Sequence, residues 1–257
     1  MKPRGILFDL DGTIYQGNSL IPGALDTLQH LKNAQIPYRF ITNATRMTKK
    51  SLVRMLSGMG LAVSQNKIFS APHAAAIYCH LKDYKKILLI VQDNEMREDF
   101  SAFQLVNHNP DAIVLGDMGA GFTFELINNL FNIILGGAEL IAMHKNRFWK
   151  SDDGFTLDIG AFVSALEYAS GTPASIVGKP NSNLFVLASH EWNFSTDKIL
   201  VVGDDIEGDV CGASRAGMKS ALVKTGKFRN ENLNSFDIIP NYIIDSIADL
   251  PSILDLE

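Results

Sequence analysis

The residues best suited to chemistry are Asp9 and Asp11, two carboxylates two positions apart in Gly5-Ile6-Leu7-Phe8-Asp9-Leu10-Asp11-Gly12-Thr13. A second acidic group, Gly203-Asp204-Asp205-Ile206-Glu207-Gly208-Asp209, lies near the other end of the chain. Each follows a wholly apolar run, Ile6-Leu7-Phe8 in one case and Ile199-Leu200-Val201-Val202 in the other. Such runs read as strands buried on both faces of a parallel sheet, and ligands bind at the carboxyl ends of such strands. These two runs are the most apolar in the chain, which predicts neighbouring strands at the sheet centre. Their carboxylates then converge. Ionised carboxylates gathered out of water are costly unless a cation is present. An all-oxygen donor set favours Mg²⁺ over zinc, which prefers His and Cys, and Mg²⁺ usually bridges to a substrate phosphate. The plainer alternative is a strand followed by a polar Asp-Gly turn.

A phosphate needs further partners. Thr42, in Ile41-Thr42-Asn43, can donate its hydroxyl, and the backbone N–H groups of Leu10, Asp11 and Asn43 can form a cradle. Lys179, in Gly178-Lys179-Pro180, is the best single cation, and Pro180 restricts it to extended backbone. Alone, Gly-Lys-Pro is an ordinary surface turn. It is no P-loop, because Gly171 lies too far upstream and a Pro follows the Lys where Ser or Thr is required.

The elements that must position these groups alternate strand and helix. Helical spacing follows Pro22 (Leu25, Leu28, Leu31) and covers Lys49 to Met59; Ile36 to Thr42 and Ile68-Phe69 read as strands, and Ala71 to Lys82 as a helix. The middle third starts the pattern again. It has strands at Ile87–Val91, Ala112–Leu115 and Ile176-Val177, helices at Phe122–Ile134 and Phe162–Ala169, and a strand and turn across Arg147 to Gly154. The last third has helices at Asn183–His190, Val210–Ala216 and Ile247–Leu254, and strands at Lys198–Gly203, Ser220–Val223 and Tyr242–Ile244. This is an α/β chain: a Rossmann-like parallel-sheet core, residues 1–79 and 179–257, with an inserted α/β unit at 80–178. The glycines Gly116, Gly119 and Gly121 are in the wrong order for a dinucleotide fingerprint and read as a turn.

Bulk properties narrow the class. With 46% hydrophobic and 20% charged residues, the chain is of ordinary globular composition. A net charge of −5 and only two basic doublets, Lys49-Lys50 and Lys85-Lys86, argue against a nucleic-acid partner. No apolar stretch is long enough to span a bilayer, and Met1-Lys2-Pro3-Arg4 runs straight into a strand, so neither a membrane anchor nor a signal peptide is expected. Cys79 and Cys211 have no metal or redox spacing and fit a reduced cytoplasmic compartment.

Together Asp9-Leu10-Asp11-Gly12-Thr13, Ile41-Thr42-Asn43, Gly178-Lys179-Pro180 and Gly203 to Asp209 occur in the order of, and resemble, the motifs of the haloacid dehalogenase superfamily of phosphohydrolases. The insertion resembles the large α/β cap of the branch containing N-acetylglucosamine-phosphate, pyridoxal-phosphate and phospholysine/phosphohistidine/pyrophosphate phosphatases. Ala142 to Arg147 and Ala165 to Ala169 look like the last of these and like the haloacid-dehalogenase-like hydrolase domain-containing group. The resemblance implies a Mg²⁺-dependent phosphatase of small phosphate monoesters. Asp9 resembles the nucleophile that takes the phosphoryl group, and Asp11 the acid that protonates the leaving oxygen and later activates water. Thr42, Asn43 and Lys179 then hold the phosphate. Asp9, the Asp11 carbonyl and Asp204 ligate the metal, and Asp205 and Asp209 support it.

The phospholysine/phosphohistidine-like subgroup often carries Ser at the position of Asp11. An Asp here implies the capacity to expel poorer leaving groups. In relatives a cap loop reaches the site; Asp158-Ile159-Gly160 occupies the matching place, and a plain helix start with Asp158 near its cap is the equal alternative. His144 is a weaker candidate than these. A cap this large implies a small phosphorylated metabolite as substrate, and the resemblance implies pairing of two copies. Two other functions compete: a phospho-accepting regulatory or binding module, and a metal-independent dehalogenase. Asp11 and the insertion argue against the first; the second needs the Asp nucleophile but neither Asp11 nor a metal, so an activity unaffected by EDTA would support it.

Overall fold

The computed structural model describes residues 2–151, 154–231 and 237–256. The two apolar runs are strands, Gly5–Asp9 and Ile199–Gly203, and every residue of both is buried. They lie side by side in parallel, with Phe8 opposite Val202. Six strands form this sheet in the order 242–244, 219–223, 199–203, 5–9, 38–42, 68–70. The two most apolar strands therefore occupy its centre, as burial on both faces requires. The register sets Asp9 opposite Ile41, so Asp9, Thr42 and Asp204 leave the sheet at one edge.

The chain divides into two compact units. The first comprises residues 1–42, 49–69 and 179–257 and contains this sheet. Its helices include Ala24–Asn33, Lys49–Gly58 and Ser182–Ser189. Thr27 ties the first of these to the carboxyl-terminal segment by donating its hydroxyl to the Ile247 carbonyl at 3.0 Å. The segment read as a last helix over 247–254 is a 3₁₀ turn, Ile247–Asp249, followed by the short helix Leu250–Ile253.

The second unit comprises residues 43–48 and 70–178. Its five strands run in the order 175–176, 139–142, 112–115, 86–90, 104–105, with every adjacent pair parallel. Helices Phe124–Leu135 and Ile159–Ser170 pack Leu130, Ile134, Val163 and Leu166 onto Ile113, Leu115 and Leu140. Sequence spacing draws its first boundary at 79/80, whereas helix Ala71–Leu81 groups with the second unit. A polar contact contributes: Tyr78, on this helix, donates to the Glu139 carboxylate at 2.8 Å. Strands Phe148–Ser151 and Gly154–Leu157 pair antiparallel, and the expected turn at Asp152-Asp153 lies outside the described residues. Among the described residues no helix is long and apolar enough to cross a membrane.

Candidate active site

Five carboxylates and two lysines collect at the carboxyl edge of the first unit's sheet. Asp9 ends its strand and is buried, at 6% exposure. Asp204 follows the neighbouring strand and is buried at 2%. Asp209 is brought back to the same place by an unusual turn. Residues Ile206–Cys211 form a π-helical turn capped by Asp205, whose carboxylate accepts the Glu207 and Gly208 N–H groups at 3.0 and 3.1 Å. The wide pitch carries both the Asp209 and Val210 N–H groups onto the Asp205 carbonyl. Asp209 in turn accepts the Asp205 N–H at 3.2 Å. Gly203 allows this fold-back, because a Cβ there would run into the Asp209 carboxylate.

Lys179 neutralises two of these acids at once. Its ammonium donates to Asp9 and, at 2.8 Å, to Asp209, and its side chain is only 8% exposed. It sits just ahead of helix Ser182–Ser189, whose N-terminus Asn181 caps, and the Lys179-Pro180 bond is cis. Burial pulls its pKa down, but the Asp209 and Asp9 charges and hydrogen bonds outweigh that and hold it above the ordinary lysine value. One ammonium does not balance the cluster. Burial raises the Asp204 carboxyl, and the Asp9 and Asp209 charges raise it further. Burial also raises Asp209, opposed by Lys179 and reinforced by Asp9.

This excess of negative charge is what a bound cation would relieve. Oxygen atoms from Asp9, Asp204 and Asp209 all lie within 4.8 Å of one another, and all three residues are buried. The donor set is oxygen only, which suits Mg²⁺. Asp209 thus joins the candidate ligands Asp9 and Asp204, while the Asp11 carboxylate is outside the trio. Asp11 lies two residues past the end of the strand and is exposed as a residue, yet partial desolvation of its carboxyl, then the Asp9 charge, raise its pKa against the pull of Lys227 and Lys179.

The remaining sequence candidates are distributed as follows. Thr42 ends strand Tyr38–Thr42 in the first unit and is buried at 8%. Asn43, the next residue, belongs to the second unit. Asp158 is the N-cap of helix Ile159–Ser170, its carboxylate accepting the Ile159 N–H at 2.7 Å, and it lies 3.9 Å from the buried His144. Asp158 thus stands at a helix start as its cap.

A further loop had no counterpart in the sequence reasoning. The Lys227 backbone N–H donates to Asp204 Oδ2 at 2.6 Å, the Thr225 hydroxyl donates to the Gly12 carbonyl, and the Lys227 ammonium lies 3.4 Å from Asp205. The available signal was a Thr-Gly pair one residue beyond the apolar strand Lys219–Val223, the same strand-then-glycine pattern as Asp11-Gly12.

Comparison with known proteins bears on the same residues. A family model described as haloacid dehalogenase-like hydrolase matches residues 6–105, and a second HAD-hydrolase-like model matches 176–250. The chain is 37% identical over 226 residues to haloacid dehalogenase-like hydrolase domain-containing protein 2 of Rattus norvegicus, covering 88% of this chain and 86% of that one. It is 32% identical to the phospholysine phosphohistidine inorganic pyrophosphate phosphatase of Bos taurus, over 98% of this chain and 94% of that one. Among solved structures, 4-nitrophenylphosphatase from Thermotoga maritima superposes with a TM-score of 0.90 at 27% identity, over 98% of this chain and 97% of that one.

Proposed function

The chain belongs to the haloacid dehalogenase-like hydrolase family, and we propose that it is a Mg²⁺-dependent phosphatase that cleaves small phosphate monoesters through an aspartyl phosphate on Asp9. The observation that carries this is the buried Lys179 ammonium shared by Asp9 and Asp209, beside the trio Asp9, Asp204 and Asp209. A carboxylate nucleophile meets an anionic phosphate only where cations offset the repulsion. Lys179 is one such charge. Asp9, Asp204 and the Asp11 carbonyl would hold Mg²⁺, with Asp209 close by; the ion, when bound, supplies charge neutralisation at the phosphoryl oxygens.

In the first step an Asp9 carboxylate oxygen attacks phosphorus and the ester P–O bond breaks. The leaving oxygen takes the proton of the Asp11 carboxylic acid. In the second step the Asp11 carboxylate removes a proton from water, the water oxygen attacks phosphorus, and the bond to Asp9 breaks. Inorganic phosphate leaves and both acids return to their starting states. The raised pKa of Asp11 suits a group that must begin protonated. Thr42 is assigned to a phosphate oxygen, and Asn43 likewise. The names of two relatives, a 4-nitrophenylphosphatase and a phosphatase of phospholysine, phosphohistidine and pyrophosphate, support phosphoryl transfer to water as the reaction class.

Phosphate release from p-nitrophenyl phosphate and a panel of phosphorylated metabolites, with Mg²⁺ and with EDTA, tests the proposal. Release that needs Mg²⁺ and disappears in Asp9→Asn is expected. Turnover that survives in Asp9→Asn, or no release from any phosphate, would overturn it.

A further inference from the structure

We infer that the Thr225-Gly226-Lys227 loop is a positioning device that sets the orientation of Asp204, and through it the affinity of the site for its divalent cation. The inference rests on the metal-dependent reading above. Three observations carry it, all within the first unit. First, the Lys227 N–H occupies Asp204 Oδ2 at 2.6 Å, which leaves Oδ1 as the oxygen without that bond. A hydrogen bond from a backbone amide to an ionised carboxylate is strong and directional. It fixes which oxygen is offered to a cation.

Second, the loop reaches past Asp204 to the nucleophile loop. The Thr225 hydroxyl donates to the Gly12 carbonyl. Gly12 and Gly226, at φ +83° and +57°, face each other so closely that a Cβ on Gly12 would lie 2.9 Å from the Gly226 α-carbon, and one on Gly226 2.6 Å from that of Gly12. A Cβ on either would drive into the Asp204 carboxylate as well as into the other glycine. Asp204 Oδ2 is thus enclosed from two sides by backbone, and only two facing glycines leave it room.

Third, the loop is itself braced. The Phe228 N–H returns to the Thr225 carbonyl at 3.2 Å, and Phe228 packs on Ile206, Val210 and Leu222. Ile206 and Val210 belong to the π-helical turn that carries Asp209. The strand Lys219–Val223 is not adjacent to Gly5–Asp9; Ile199–Gly203 lies between them. The loop therefore crosses over the end of the intervening strand and ties the loop after Asp9 to the loop bearing Asp204. Partners that orient a metal ligand this way are worth roughly 10–100-fold in metal affinity.

Mn²⁺ serves as the probe, with binding to the full-length metal-free protein measured by electron paramagnetic resonance and the fold by circular dichroism. Thr225→Val and Gly226→Ala should each weaken Mn²⁺ binding by roughly 10-fold or more, and Thr225→Ser should bind as wild type does. At saturating metal the KM for p-nitrophenyl phosphate should stay within about twofold of wild type while the metal concentration needed for half-maximal rate rises. Either variant suffices if the other does not fold. Mn²⁺ affinity equal to wild type in the folded variants overturns the inference, as does Thr225→Ser behaving like Thr225→Val. Wild-type protein that binds no Mn²⁺ overturns the metal-dependent reading itself, a result distinct from the first two.

Discussion

Replacing Lys179 by Met removes a cation that two buried carboxylates share while keeping most of the side-chain volume. In the wild-type protein its ammonium bonds Asp9 and, at 2.8 Å, Asp209, whose side chains are 9% and 1% exposed. Taking away one partner of a buried ion pair strands the other charge, at a cost of about 3–5 kcal/mol. For a domain of this size each kcal/mol moves the melting temperature by about 2–4 °C, so Lys179→Met should melt roughly 6–20 °C below wild type without metal at about pH 8. The deficit has a required pH dependence. Asp209 loses its compensation as an ion, not as a neutral acid, and burial, then the Asp9 and Asp205 charges, raise its pKa, so the gap should narrow as pH falls towards about 5 and a proton replaces the ammonium. Mg²⁺ should recover part of it at the higher pH. Catalysis should suffer separately, by about 10²–10³ in kcat, the usual scale for removing one fixed positive group at a transition state. The assay is thermal unfolding across pH, with and without Mg²⁺, alongside steady-state phosphate release. A Lys179→Met protein that melts within about 2 °C of wild type at pH 8, or whose deficit is the same at both pH values, would refute the reasoning.

Three further outcomes follow from the same geometry. Because burial and neighbouring charges raise Asp204 and Asp209 above ordinary carboxyl values, their stabilising contribution is complete below about pH 4 and is lost as pH rises through the folded pKa; calorimetry should show metal-free stability falling towards neutrality, and Mg²⁺ should raise the melting temperature more at pH 8 than at pH 6. Asp11→Asn should lower kcat on alkyl phosphates by about 10²–10⁴ and abolish the alkaline limb of their pH–rate profile; with p-nitrophenyl phosphate, whose leaving group departs without a proton, stopped flow should show a burst of one nitrophenol per enzyme followed by slow turnover. In the second unit, Arg46 Nε lies 2.7 Å from Asp117, but the Arg46 side chain is 41% exposed, so a double-mutant cycle with Ala should give a coupling below about 1 kcal/mol; Asp117→Ala should also lose the bond from the Gly119 N–H at 2.7 Å and destabilise the protein by about 1–3 kcal/mol.

The sheet centre was legible because burial on both faces demands what Ile6-Leu7-Phe8 and Ile199 to Val202 display, an apolar run without alternation, and two such runs belong together. The carboxylates at their ends were legible for the same reason, as charges with no packing role. Other features leave no periodic trace. Strand Glu139–Ala142 carries no such signal, because it continues an apolar stretch from Ile133 broken only by Gly136, Gly137 and Glu139, and a short apolar run does not distinguish strand from helix. Val210 to Ala216 reads as one helix by spacing, whereas the chain makes a π turn to Cys211 and only then the helix Gly212–Arg215. That turn, set by Asp205 capping and by the absent side chain at Gly203, is what delivers Asp209 to Lys179. Helix Ile159–Ser170 begins three residues before the expected Phe162 because Asp158 caps it. The Thr225-Gly226-Lys227 contacts join residues about 213 and 23 positions apart through one hydroxyl and one backbone amide, which composition and spacing do not encode.

The central claim is that the phosphoryl group passes through the carboxylate of Asp9. Acid quenching during steady-state turnover, reduction with borohydride and peptide mass spectrometry test it most directly, since an aspartyl phosphate is reduced to homoserine and a free carboxylate is not. Homoserine should appear at position 9 only when substrate and Mg²⁺ are both present, and should increase in Asp11→Asn, where the second step is slowed. Homoserine at position 11 or 204 in place of 9, or none at any position in an Asp11→Asn sample that is turning over, would contradict the account.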